Sequence, residues 1–270
     1  MAFELPESNF KLQDRTALLT GPCDSLHQAI AMKFTQLGAN VSWVSPNIDK
    51  TQRFVQQLID AREVNDRFGR AHAIASDLST TEEIQSSITK AAEAFGGIDI
   101  FVDGMLTTDV KPFRDPEALV NIDDLINANL KAPLLLTHGV LKFLEARKRG
   151  RVIYLMHDIV RMGLPQHGSL ACTRSGLATL SRTLSREVSA SNITFNCVSL
   201  GITEEFLLSH YPNENISIQE AQSRLLQSYP FAQMIEPDKI ANVVAFLASP
   251  LGAGITGQTI AVSHGLSYLS

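Results

Sequence analysis

The first residues with recognisable chemistry form a turn after the first apolar run of the chain. Thr20-Gly21 leads from that run into a helical pattern, and the amino terminus of such a helix offers N–H groups and a positive dipole to a pyrophosphate. Such turns carry glycines so that the phosphate can approach the backbone, yet two of the glycines expected after Gly21 are absent. Asp24 adds a carboxylate, which about 4 Å from a phosphate oxygen would cost roughly 1 kcal/mol in water. The turn has the outline of a dinucleotide site but lacks the means to bind one.

The start of this helix also has its own capping signal. Ser25 and Gln28 have the Ser-x-x-Gln spacing of a capping box. In that motif the side chains of the first turn satisfy the unpaired N–H groups of the helix. We therefore expect Ser25 to cap the helix, so that no phosphate is needed there.

A histidine later in the chain is the candidate acid–base group. His157 ends another apolar run, and an unperturbed imidazole has a pKa of about 6.5, which suits proton exchange near neutral pH. Asp158 follows it directly, but successive residues of a strand point to opposite faces of the sheet. We therefore expect Asp158 not to orient the His157 ring.

Strand-like apolar runs alternate with amphipathic segments along nearly the whole chain. The pattern predicts strands at residues 16–20, 40–44, 71–75, 99–102, 152–156, 194–198 and 259–262, and helices at residues 25–37, 50–62, 81–95, 122–146, 169–189 and 237–247. This alternation implies a parallel sheet covered on both faces, with right-handed crossovers. The predicted fold class is α/β, a Rossmann-like, doubly wound sheet of seven parallel strands. No Pro/Gly-rich linker divides the pattern, so residues 1–270 are predicted to form a single domain.

One stretch interrupts the rhythm. Residues 202–234 are mostly polar, with a helical run at residues 220–229. Ligands of open parallel sheets bind beyond the carboxyl ends of the strands, where a long insertion can cover them. The insertion is therefore either a lid over that crevice or a variable surface excursion.

Composition limits the classes of function. The chain has 270 residues, 44% of them hydrophobic, and a net charge of −5, which argues against binding to nucleic acid or to a membrane surface. Cys23, Cys172 and Cys197 form no CxxC pair or Cys/His cluster, so we expect reduced thiols and no metal site. Neither a signal peptide nor an apolar run of about 18 residues is present, so we expect a cytoplasmic protein without a membrane span.

Eight segments, in order, resemble the classical short-chain dehydrogenase/reductase family over residues 12–270. They are "LLTG", "AIASDLS", "FGGIDIFVDG", "NANLKAPLLLTHGVLKFL", "GRVIYLMH", "ACTRSGLATLSRTLSREV", "NITFNCVSLG" and "FLASPLGAGITGQTIAVSHG". The resemblance implies a Rossmann-like fold and hydride transfer between NAD(P) and an alcohol or ketone.

The resemblance also locates the family's catalytic Asn, Ser, Tyr and Lys. They fall on Asn129, His157, Leu170 and Arg174, and the thirteen-residue separation of His157 and Leu170 is the family's spacing between Ser and Tyr. Leu170 has no proton to donate, whereas a positioned general acid is typically worth about 10² to 10⁴ in rate. Arg174 keeps the charge of the lysine but not its geometry. We therefore expect no catalytic residue in this chain, with His157 as a polar filler of the former serine site.

The family's cofactor contacts fall on altered positions, and we expect none of them to bind NAD(P). Ser45 stands where an acid or an arginine would contact the adenosine ribose or its phosphate, and Asp103 begins the segment that replaces Asn-Asn-Ala-Gly. Asp77 matches the adenine contact, although capping of the next helix also accounts for it. The full set is Gly21, Asp24, Ser25, His27, Ser45, Asp77 and Asp103.

The leading hypothesis is a pseudoenzyme, a non-catalytic subunit that assembles with an active NAD(P)-dependent short-chain dehydrogenase paralogue. The chain resembles the inactive subunit type of heterotetrameric members, such as the one in the β-oxidation of benzylsuccinate during anaerobic toluene degradation. The resemblance implies contacts through residues 122–146, residues 169–189 and the C-terminal segment, NAD(P) in the partner, and a hydroxyacyl-CoA as candidate substrate. Helices as apolar as these are normally buried on more than one face.

Two alternatives from other classes stay open. The chain could be an active oxidoreductase with a rearranged site that uses His157, Arg174 and Tyr211. It could also be a regulatory module with an apolar ligand pocket, lined by Met105, Met156, Met162 and Leu170.

Overall fold

A computed structural model describes residues 10–107, 110–210, 217–226 and 233–267, and its centre is one parallel sheet. The strands are β1 (Thr16–Thr20), β2 (Asn40–Ser45), β3 (Ala71–Ala75), β4 (Ile100–Asp103), β5 (Gly150–His157), β6 (Ile193–Leu200) and β7 (Thr259–Val262). Their order is β3-β2-β1-β4-β5-β6-β7, and every neighbouring pair is parallel. The predicted fold class is confirmed.

Helices cover both faces of this sheet. They are α1 (Ser25–Gln36), α2 (Ile48–Val64), α3 (Thr81–Phe95), α4 (Ile122–Ile126), α5 (Ala132–Ala146), α6 (Ile159–Met162), α7 (Gly168–Glu187), α8 (Glu204–His210), α9 (Ile218–Leu226) and α10 (Pro237–Ala248). Residues of α1, α2 and α10 form one apolar cluster against the sheet, and residues of α3, α5 and α7 form the other. The central strands are buried throughout because both faces of the sheet are covered.

The helix predicted at residues 122–146 is interrupted by a wider turn. A π-helical turn at Asn127–Lys131 separates α4 from α5. Pro133 lies two residues beyond it, at the start of α5, and a proline cannot donate the i→i−4 bond that would end on the carbonyl of Asn129. The turn places the side chain of Asn129 inside the molecule, where it is 0% exposed.

The strand order reverses between β1 and β4, and this is where open α/β sheets bind ligands. The last residues of the two strands, Thr20 and Asp103, are paired in register. The loops that follow these strands therefore frame the candidate site.

Part of the insertion at residues 202–234 covers the same end of the sheet. Phe206 and Leu207 of α8 are 2% and 0% exposed and belong to a cluster with Leu170. The predicted helical run at residues 220–229 is observed as α9 up to residue 226, while residues 227–232 and Tyr211 lie outside the described residues. The single domain with an insertion stays a prediction.

A buried ion pair fixes α7 against the end of β4. The Nη1 group of Arg174 donates to Oδ2 of Asp103 at 2.5 Å, and both side chains are 0% exposed. The hydroxyl of Thr20 donates to the other carboxylate oxygen at 3.1 Å. Three elements, β1, β4 and α7, thus meet at one carboxylate.

We expect Arg174→Met to lower the free energy of unfolding by about 3–5 kcal/mol, because it leaves the carboxylate of Asp103 buried without its cation. Adding Asp103→Asn to that variant should recover part of the loss. The matched control is Arg224→Met, which breaks an ion pair with Glu220 whose side chains are 47% and 50% exposed and should cost below about 1 kcal/mol. Urea denaturation measures all three. A cost for Arg174→Met no larger than that of the control would contradict the prediction.

Candidate functional site

The ion pair extends into a polar network that includes the family position Asn129. The second terminal nitrogen of Arg174 donates to Oδ1 of Asn129 at 3.3 Å. The Asn129 amide also bonds both backbone groups of Thr107, accepting from its N–H at 3.1 Å and donating to its carbonyl at 2.7 Å. Predicted positions Asn129, Arg174 and Asp103 are therefore brought together, and the guanidinium binds protein groups in the interior.

The ring of His27 fills the space between the ends of β1 and β4. Its Nδ1 lies 2.5 Å from Oδ1 of Asp24, and its Nε2 lies 3.0 Å from the carbonyl oxygen of Gly104. A Cβ atom added to Gly21 or Gly104 would lie 2.1 Å or 2.2 Å from that Nε2, so both positions require glycine. The ring of Trp43 stacks on the imidazole at a centroid distance of 6.3 Å and donates to the carbonyl of Gly21.

Both ring nitrogens of His27 face oxygens that only accept hydrogen bonds. A neutral imidazole carries one N–H, so only the protonated ring donates to Asp24 and to Gly104 together. Burial alone would raise the pKa of Asp24, but the charge and the hydrogen bonds of His27 lower it below its usual value. The two side chains thus bond to each other within the first turn of α1.

The amino terminus of α1 is capped by Asp24 and not by Ser25. Asp24 accepts from the backbone N–H of His27 at 2.9 Å, while the backbone N–H and the hydroxyl of Ser25 both donate to Oε1 of Glu205. The predicted Ser25–Gln28 capping box is wrong. The prediction fails because of a contact with the insertion at residues 202–234. The carboxylate of Glu205 accepts the hydrogen bonds of Ser25, which a capping box would direct within α1.

His157 and Leu170 are both buried in the interior. His157 is 7% exposed and its Nδ1 has no hydrogen-bond partner among the described residues. Burial, followed by the charge of Arg174 and then by His167, lowers the pKa of His157 to about 3, so its ring is neutral. Asp158 does not orient it, because its Oδ1 accepts from Ser199 at 2.7 Å and from a second serine.

The remaining predicted cofactor positions form local bonds. The hydroxyl of Ser45 accepts from the backbone N–H of Asn47 at 3.2 Å. Asp77 accepts from the N–H of Ser79 at 2.8 Å, and the hydrogen bonds of Ser79 are the main cause of its lowered pKa. Helix α3 is capped by Thr80, which forms a capping box with Glu83, so the expectation that Asp77 caps this helix is wrong.

A cavity of about 290 Å³ remains at the carboxyl ends of the strands. Its lining differs from the predicted apolar pocket, since Met105 and Met156 pack in the core and Leu170 packs under α8. The cavity is lined by Pro22, Asp24, Leu26, His27, Gly104, Leu106, His157, Leu200, Thr203, Glu205 and Phe206.

This arrangement does not fit a dinucleotide. The imidazole of His27 occupies the gap beside Gly21, and the carboxylates of Asp24 and Glu205 hold the first N–H groups of α1. A cavity of about 290 Å³ also lies at the lower limit for a drug-sized ligand, which NAD(P) exceeds.

Three other findings limit the kinds of site. The cysteines Cys23, Cys172 and Cys197 are all free thiols. Within the part of the chain that the structure describes, no three His, Cys, Asp or Glu side chains are grouped to hold a metal ion. None of the described helices has the length and apolar character needed to cross a membrane.

Comparison with known proteins identifies the family. A family model described as enoyl-(acyl carrier protein) reductase matches residues 21–267. The 3-oxoacyl-[acyl-carrier-protein] reductase of Staphylococcus epidermidis is 29% identical over 255 residues, which cover 94% of this chain and 99% of that protein. The corresponding reductase of Aquifex aeolicus is 25% identical over 257 residues, covering 95% of this chain and 98% of that protein.

Solved structures agree with the fold. A dehydrogenase/reductase from Sinorhizobium meliloti 1021 superposes with a TM-score of 0.82 at 25% identity, covering 96% of this chain and 98% of that chain. Levodione reductase, at 22% identity, has a TM-score of 0.85 with 94% and 97% of the two chains covered, and supports the fold alone.

These comparisons correct the expectation that the chain is not an enzyme. That expectation is wrong, because the matched family and the relatives named above are catalytic oxidoreductases. The matches extend over nearly the full length of this chain. The substitutions at Leu170 and Arg174 remove one route for delivering a proton, and they leave other groups such as His157 in the same crevice. The chain belongs to the classical short-chain dehydrogenase/reductase family, whose members are NAD(P)-linked oxidoreductases.

Proposed function

We propose that this chain is one subunit type of a cytoplasmic oxidoreductase, a heterotetramer with a short-chain dehydrogenase paralogue that binds the NAD(P). The observation that carries the proposal is the His27 ring in the gap between Gly21 and Gly104, where it bonds at both ends. The names of the relatives favour the 3-oxo group of an acyl thioester as the carbonyl that is reduced, with a 3-hydroxyacyl thioester such as a hydroxyacyl-CoA as the product.

Several contacts hold the ring of His27 in the gap between Gly21 and Gly104. Moving the ring out of the gap would break its bonds to Asp24 and Gly104 and its stacking on Trp43. Hydrogen bonds to charged groups typically contribute about 1.5–3 kcal/mol each, so the ring is held firmly. Asp24 and Glu205 would still face any phosphate that entered. The dinucleotide of the assembly is therefore assigned to the partner.

An exposed apolar stripe supports the partner surface. Ile126 and Leu134 are 40% and 38% exposed, and the half-buried Leu130 lies between them at four-residue spacing. The π-helical turn at residues 127–131 lies between Ile126 and Leu134, so the two exposed side chains belong to neighbouring helices. Contiguous exposed apolar side chains mark interaction surfaces more often than free surface. The stripe begins in α4 and continues into α5, within the predicted contact at residues 122–146.

A second candidate function is carbonyl chemistry in this chain's own crevice. The neutral His157 at the cavity favours it, since a neutral imidazole can polarise a carbonyl oxygen. Arg174 takes no part in it, because it is 0% exposed and bonded to Asp103 and Asn129. In this candidate the isolated chain would need NAD(P)H as the hydride donor and would reduce a carbonyl substrate in a His157-dependent way.

Affinity purification of the tagged chain from its native host tests the assembly. We expect a second short-chain dehydrogenase with an intact Tyr-x-x-x-Lys motif to elute with it in equal amount. Leu134→Asp should abolish the association, because it places a charge on the apolar stripe of α5, where the natural side chain is 38% exposed. Val64→Asp, on α2 and 90% exposed in the natural chain, is the matched control and should leave it intact. Recovery of a homo-oligomer alone would contradict the proposal.

Titration of the isolated chain with NADH and NADPH tests the cofactor assignment. Trp43 is the only tryptophan and stacks on His27, so its emission reports directly on this turn. We expect no saturable quenching by either dinucleotide at millimolar concentration. The double variant Asp24→Asn/His27→Gly, which removes the carboxylate and the ring, should show saturable quenching, whereas His138→Ala on α5 should not. Micromolar binding by the natural chain would favour the second candidate instead.

The neutral state of His157 predicts a pH dependence of stability. Its pKa is lowered from 6.5 to about 3 in the folded chain, so between these values the unfolded chain binds a proton that the folded chain does not. Stability should therefore fall as the pH falls from 6.5, by at most about 1.4 kcal/mol per pH unit from this group. His157→Gln should flatten the urea-denaturation profile between pH 6.5 and 4, and His138→Gln should not. Parallel profiles for the natural chain and His157→Gln would contradict the prediction, because they would show that the ring binds a proton in the folded chain as it does in the unfolded chain.

A further inference from the structure

We propose that the cavity beside His27 binds a small primary ammonium ligand with a short hydrocarbon chain. This inference goes beyond the proposed function, because it concerns a ligand of this chain alone and needs neither the dinucleotide nor the partner.

The charges around the cavity favour a cation. Asp24 is paired with the ring of His27, whereas among the described residues the carboxylate of Glu205 bonds only to Ser25, an uncharged residue. No Lys or Arg is among the described residues that line the cavity. The adjoining cavity, which shares Glu205, adds the exposed carboxylate of Glu204. The cavity is thus left with an unopposed negative charge.

His157 supplies an acceptor that does not repel a cation. It lines the cavity and is 7% exposed, and because its Nδ1 is buried without a hydrogen-bond partner among the described residues, Nε2 is the nitrogen available to a ligand. Because its ring is neutral, one of its nitrogens carries a lone pair and can accept an N–H bond. An ammonium group offers three donors, enough for a carboxylate and an imidazole together.

The rest of the wall is apolar and limits the ligand's size. The cavity is lined by Leu26, Leu106, Leu200 and Phe206. The centroid of the Phe206 ring lies 4.5 Å from that of the His157 ring. A volume of about 290 Å³ corresponds to about ten water molecules at their liquid volume. A chain of a few carbons fits this space beside the ammonium group. A phosphate or carboxylate ligand would meet Glu205 instead.

Calorimetric titration of the full chain with three probes of one shape tests the inference. Butylamine, which is a cation at pH 7.5, should bind at least about tenfold more tightly than butanol, because its hydrogen bonds to the carboxylate are charge-assisted. Butyrate should not bind. Trp43 emission should change with butylamine, which places the binding beside the His27 ring.

A conservative variant identifies the carboxylate. Glu205→Gln keeps an acceptor for Ser25 and so keeps the end of α1, but it should weaken butylamine binding about tenfold and leave butanol unchanged. Glu187→Gln, at the far end of α7, is the matched control and should bind as the natural chain does. Equal affinity for butylamine and butanol in the natural chain would overturn the proposal, and so would unchanged butylamine affinity in Glu205→Gln. Neither result bears on partner association or NADH binding, which are measured separately.

Discussion

The buried ion pair between Asp103 and Arg174 is the interaction on which the crevice depends. A guanidinium presents two donors in a fixed plane, and here one reaches Asp103 while the other reaches Asn129. An ammonium at this position could not span the two acceptors in the same way. The substitution of Arg for the family's Lys therefore belongs with the substitution of Asp for the family's Asn at residue 103. Burial is the main cause of the lowered pKa of His157, and the charge of Arg174 lowers it further, so the ion pair fixes the packing of α7 and contributes to the neutral state of the candidate acid–base group.

Gly21 after β1 and Gly104 after β4 are required in this chain for a different physical reason than in a dinucleotide turn. In a dinucleotide turn, glycine lets the backbone approach a pyrophosphate. Here Gly21 and Gly104 leave room for the ring of His27, which a Cβ atom at either position would strike. Gly21 also has a φ of 141°, a conformation that other residues rarely adopt. A glycine at such a turn consequently indicates a close approach, and the neighbouring residues decide what approaches.

The sequence predicted the sheet well because buried parallel strands are continuous apolar runs, and β1 and β7 have the predicted bounds. It also predicted which positions would surround the crevice, since the order of elements in a doubly wound sheet brings them to one edge. The contact between Ser25 and Glu205 joins residues 180 positions apart, so no local spacing reveals it. The neutrality of His157 depends on burial and on a charge from another helix. The expectation that the chain is not an enzyme, drawn from the substituted motif residues, was wrong for the same reason. The chemistry of a residue depends on neighbours that sequence spacing does not show.

Charge selects among ligands of this crevice before shape does. A pyrophosphate carries negative charge toward Asp24 and Glu205, and a unit charge at about 4 Å is disfavoured by about 1 kcal/mol in water and by about 4 kcal/mol near a protein surface. Opening the gap by moving His27 would also separate Asp24 from its cation, so the carboxylate would repel phosphate more strongly in the open state than in the closed one. The position of the ring and the charge of the carboxylate thus both oppose the entry of a dinucleotide, one sterically and one electrostatically. The same field attracts a cation, which the neutral His157 does not oppose. A crevice inherited from a family that binds an anionic cofactor has in this way become suited to a positively charged ligand.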